Sequence, residues 1–106
     1  MTYERWTALP IGAALRLAEQ ILTDRLPIEK TGGDGHSVRL TGGDGTVVVS
    51  AHKHGFETVV VAETDQVRTS RLDGEVQYYL TMLPFQPGDT RMRGEDQPGG
   101  LSGYAT

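Results

Sequence analysis

The spacing of apolar positions changes once along the chain. Between residues 11 and 22 it is helical: Ile11, Leu15, Ala18 and Leu22 make one stripe, widened by Ala14, Leu17 and Ile21. Arg16, Glu19, Gln20, Thr23 and Asp24 take the opposite side. This predicts an amphipathic helix from about Pro10 to Arg25. Pro10 suits a first helical turn, and Pro27 ends the pattern.

From residue 37 onward the period falls to two. Five short strands are predicted, at 37–41, 46–51, 55–63, 66–72 and 75–83. Asp73-Gly74 is a strong two-residue hairpin signal and Thr64-Asp65 a weaker one. Tight turns there set Val60 against Thr69 and Thr69 against Tyr78. They also set Ala62 against Val67 and Val67 against Leu80. Side chains alternate along a strand, so these residues join Val38, Leu40, Val47, Val49 and Phe56 on one apolar face. The predicted fold is α+β in two layers: one N-terminal amphipathic helix on a five-stranded antiparallel meander, with residues 1–83 as a single domain. Residues 1–8, with Tyr3 and Trp6, are expected to pack across one end of the core.

The opposite face carries Val48, Val59, Val61, Tyr79 and Leu83, ringed by Arg39, Glu57, Glu63, Arg68 and Gln77. A sheet face open to water is normally more uniformly polar. In this register Arg68 lies opposite both Val61 and Tyr79 and can stack on the ring. Val48, Val59, Val61, Arg68, Tyr79 and Leu83 are therefore the expected interface residues. A second copy of the chain, or another protein, is the expected partner.

Residues 84–106 lack periodicity and are rich in glycine, proline and charge, which predicts an unstructured C-terminal tail. The remaining fold, roughly 80 residues, is of a size that gains from pairing. The 106 residues include no cysteine, so disulfides, thiolate metal sites and cysteine nucleophiles are excluded. No apolar run suits a signal peptide or a membrane span, so a cytoplasmic protein is expected. Fourteen acidic residues against ten basic ones give a net charge of −4. Without a basic cluster, nucleic acid and anionic membranes are disfavoured as partners.

Thr-Gly-Gly-Asp-Gly occurs twice, at 31–35 and 41–45. It superficially resembles the calcium-binding repeat of parallel β-rolls. However, the copies are ten residues apart, and Ser37 and Val47 occupy the second aspartate position. The second copy is expected in a hairpin loop, and the first in the loop leading out of the helix. His52 and His54 would share one strand face, and His36 begins the neighbouring strand. These three are the candidate metal ligands. A pocket between helix and sheet lined by Trp6, Tyr78 and Met82 is the alternative ligand site. No nucleophile–base–acid set, paired catalytic carboxylates in a cleft, or phosphate loop is evident, so no cofactor is expected. The reading is of a non-enzymatic interaction module.

Overall fold

A computed structural model describes residues 1–84. The fold is α+β, with helices on a five-stranded antiparallel sheet of order β1-β5-β4-β3-β2. The strands are β1 (Thr2–Thr7), β2 (Ile28–Asp34), β3 (Ser37–Gly42), β4 (Gly45–His54) and β5 (Glu57–Thr64). The helices are α1 (Ile11–Arg25) and α2 (Arg71–Thr81). The expected tail falls outside the described residues, except for Pro84.

α1 forms where the helical period predicts it. Pro10 stands extended at its N-cap, and Ala14, Leu15, Ala18 and Leu22 are its buried stripe. Strands β2 to β5 form a meander with two-residue turns. Asp34 pairs with Ser37, Gly42 with Gly45, and His54 with Glu57. β1 closes the sheet against β5, from Thr2 opposite Glu63 to Thr7 opposite Thr58.

The two Thr-Gly-Gly-Asp-Gly copies sit two residues out of phase with their turns. In the second, Gly43-Asp44 is the turn itself, as expected. In the first, Thr31 to Asp34 belong to β2, with a bulge between Lys30 and Gly32. Asp34 Oδ1 accepts the His36 N–H at 2.8 Å and the Ser37 hydroxyl at 3.2 Å, so the side chain braces the turn. Those two donors hold its carboxyl below the usual carboxylate range.

The largest correction concerns residues 66–83, expected as two strands. Residues 71–81 are instead α2. Ser70 is its N-cap: the hydroxyl accepts the Asp73 N–H at 3.1 Å and donates to Asp73 Oδ1 at 2.9 Å. The cap satisfies a helix-end donor, the Asp73 N–H, so Asp73-Gly74 lies in the first turn of a helix rather than in a hairpin. Leu72, Val76, Tyr79, Leu80 and Leu83 then fall on one helical face, and all are buried. Val67, expected inside, is on the loop before α2 and 65% exposed. Phe56 lies in the β4–β5 turn and is 96% exposed.

Both helices pack against the same side of the sheet. Val38, Leu40, Val47, Val49, Ala51, Val60 and Ala62 meet the buried faces of α1 and α2 in one core. The Tyr79 hydroxyl donates to the Ala14 carbonyl of α1 at 2.8 Å, joining the helices inside that core. Burial pushes the Tyr79 phenol pKa upward. A second tie links β1, β5 and α2 around Asp73, which is fully buried. Its carboxylate accepts hydroxyls from Tyr3 at 2.7 Å, Thr64 at 2.9 Å and Ser70 at 2.9 Å. Among the described residues, no helix is long and apolar enough to cross a membrane.

Candidate interaction face

The helices leave the other side of the sheet uncovered among the described residues. The registers fix its rows of side chains. Arg39, Val48, Glu63 and Thr2 form one row from β3 to β1. Ser37, Ser50, Val61 and Glu4 form the next. His52, Val59 and Trp6 form a third, and His54 and Glu57 lie beyond it. Val48, Val61, Val59 and Trp6 thus run diagonally across the face, between polar flanks.

Within this diagonal, Val59 is only 2% exposed, yet it lies outside the core cluster. Its neighbours in the row, Trp6 and His52, flank it from either side. The Trp6 and His54 rings meet edge to face, with centroids 5.0 Å apart and planes at 81°. The indole keeps 41% exposure, so it shields a valine below while presenting apolar surface above. Phe56 stands beyond this row, at the tip of the same hairpin.

The expected interface residues divide. Val48, Val59 and Val61 share the outer face, as the alternation predicts. Arg68 does not join them: it is exposed on the loop before α2, where its carbonyl accepts Gln77 Nε2 at 3.5 Å. Tyr79 and Leu83 belong to the core. All three were expected on a strand, and the α2 helix removes them from the sheet.

The expected pocket residues also separate. Trp6 lies on the outer face. Tyr78 is on α2, with the Arg25 guanidinium 4.1 Å from its ring centroid. Arg25 also pairs with Glu75. Met82 follows α2 and is 49% exposed. Of the histidines, His52 and His54 share the outer face. His36 is in the β2–β3 turn, where its carbonyl accepts the Ala51 N–H at 2.9 Å. Among the described residues, no group of three or more His, Cys, Asp and Glu side chains gathers to hold a metal.

Sequence reasoning missed Trp6 as an outer-face residue and Asp73 as a buried anchor. The signals were present. Thr2, Glu4 and Trp6 alternate with Tyr3, Arg5 and Thr7, and Ser70-x-x-Asp73 is a capping-box spacing.

Comparisons with known proteins bring no relative to bear: no family model matches the chain, no curated protein matches its sequence, and no solved structure matches its fold.

Proposed function

We propose that the protein is a non-enzymatic interaction module that self-associates through the outer face of its sheet. The observation that carries this reading is the Val48–Val61–Val59–Trp6 diagonal on a face that no described element covers. Five strands about 4.8 Å apart, six to ten residues long, span a plane of about 600 Å2 before side-chain relief. That approaches the scale of a standard interface, about 800 Å2 of accessible surface per partner.

Charge supports a second copy as the partner. Arg39 lies on the β3 side of the face, and Glu63 and Glu4 lie on the β5 and β1 side. A two-fold axis along β4 sets Arg39 of one copy over Glu63 of the other and Val48 over itself. A symmetric interface requires such self-complementarity. The absence of cysteine in so small a domain fits a reducing compartment, and we place the protein in the cytoplasm.

Molar mass by light scattering over a concentration series tests the reading. The expected result is a dimer of twice 11.5 kDa that dissociates on dilution. Val61→Lys is expected to give a monomer with a thermal midpoint close to that of the parent. A parent that stays monomeric at every concentration would sink the proposal.

A further inference from the structure

We infer that the edge of β1 left unpaired among the described residues is a docking site for an extended peptide bearing a cation opposite Glu4. This surface is separate from the outer face, and the inference does not depend on self-association.

The hydrogen-bond phase of β1 shows what its edge offers. The Met1 amine donates to the Thr64 carbonyl at 2.8 Å, and the Thr64 N–H donates to the Met1 carbonyl at 2.8 Å. In an antiparallel pair such exchanges recur at alternate residues. Tyr3, Arg5 and Thr7 therefore spend their backbone groups on Ala62, Val60 and Thr58 of β5. The N–H and C=O groups of Thr2, Glu4 and Trp6 point away from the sheet. All three residues are exposed.

Just past the end of β1, the same edge already donates one backbone hydrogen bond. Ala8 is in phase with Thr2, Glu4 and Trp6, and its N–H donates to the Pro84 carbonyl at 3.1 Å. Below this point an open groove of about 420 Å3 runs between β1 and α2. Thr2, Tyr3, Glu4 and Arg5 line one wall, and Gln77, Leu80 and Thr81 line the other. The opposite edge of the sheet is different. β2 is interrupted by its bulge and by Gly33 at φ 136°, features that blunt an edge against pairing.

The charges select the occupant. Consider β1 pairing antiparallel with β1 of a second copy through its outward groups. The two registers that overlap five residues of β1 set Glu4 against Glu4 or Arg5 against Arg5, and the remaining ones overlap three residues or fewer. Like charges directly opposite are unfavourable, so a second β1 is a poor partner. A different extended chain meets no such conflict. Glu63 is diagonal to Glu4 on the same face, so the position opposite Glu4 favours Lys or Arg. The position opposite Trp6 favours a β-branched or aromatic residue. Residues pointing the other way lie over Leu80 and favour apolar side chains. This is strand addition: the backbone supplies affinity and alternate side chains supply selectivity.

The test uses the full chain and the probe acetyl-Val-Thr-Lys-Val-Thr-amide, followed by amide hydrogen exchange. Exchange at Thr2, Glu4 and Trp6 should slow at least severalfold with the probe, while Tyr3, Arg5 and Thr7 stay unchanged. Replacing the probe lysine with glutamate should weaken binding about three- to tenfold. Glu4→Lys should reverse that preference. Three results would overturn the inference. One is no binding of either probe, or protection without the two-residue alternation. Another is protection of the three amides in the protein alone that rises with protein concentration, which would assign the edge to a second copy. The last is protection independent of concentration, which would assign it to the chain's own residues after Pro84.

Discussion

β5 carries Val59, Val60 and Val61 in succession, and the two faces of the sheet treat them differently. Val60 lies fully buried in the core beneath the helices. Val61 lies partly exposed on the outer face, and Val59 is shielded there by two side chains. The inner face hides its valines under whole helices and ties those helices down with buried hydrogen bonds. The outer face hides one valine with an indole and an imidazole. The same residue type therefore serves cohesion on one side and, in the function proposed above, recognition on the other. What differs is the element laid over it.

Substitutions should separate the faces by size of effect. The largest is expected at Asp73, on the inner side. Asp73→Ala leaves the Tyr3, Thr64 and Ser70 hydroxyls without their shared acceptor and should cost about 3 kcal/mol in urea unfolding. Next comes a paired test on β5. Val60→Ala removes two methyl groups from a filled core and should cost about 2 kcal/mol. Val61→Ala should cost under about 1 kcal/mol in the monomer, yet weaken self-association. Equal costs at the two positions would erase the distinction between the faces.

Smaller still is Tyr79→Phe, at about 1 kcal/mol for the lost bond to Ala14. Its pH signature is more specific. The folded-state pKa of Tyr79 is raised, so its contribution is complete below the unfolded value of about 10 and is lost as pH climbs toward the folded value. The parent should therefore lose stability above about pH 10 more steeply than Tyr79→Phe. The smallest effect is expected at exposed Asp65. The Thr46 N–H, then the Gln66 side chain, hold its carboxyl below the usual range. That contribution is present above the unfolded pKa of about 4 and is lost as pH falls through the lower folded value. Asp65→Asn should flatten the acid limb slightly in a pH titration of the thermal midpoint.

Much of this contrast was legible in the residues. The stripe from Ile11 to Leu22 located α1, and the alternation in β3 to β5 placed Val48, Val59 and Val61 on one face. The rest was obscured by competing local signals. Asp73-Gly74 reads as a hairpin when taken as a pair. Only the longer spacing from Leu72 through Val76 and Leu80 to Leu83, with Ser70 three residues before Asp73, reveals the helix. Gly32 and Gly33 disguise β2 because glycine is depleted in strands, although a bulge accommodates it. β1 alternates aromatic and charged residues rather than apolar and polar ones. Its inward side chains are Tyr3, Arg5 and Thr7, and hydrogen bonds to Asp73 and Pro84 anchor Tyr3 and Thr7. Such anchoring depends on partners far along the chain, which local periodicity does not register.

The joining of β1 to β5 also has a consequence in time. β2 through β5 are linked by two-residue turns, so each pairing there closes only a short stretch of chain. β1 must instead find β5 across about fifty intervening residues, with the loop-closure entropy that distance implies. The meander should assemble early and β1 should arrive late, which makes it the strand most ready to leave in a partial opening. Its departure would uncover β5 along the whole line from Thr58 to Glu63 and unroof Val59. The order of assembly thus makes β1 the guard of the sheet's most adhesive strand during every refolding.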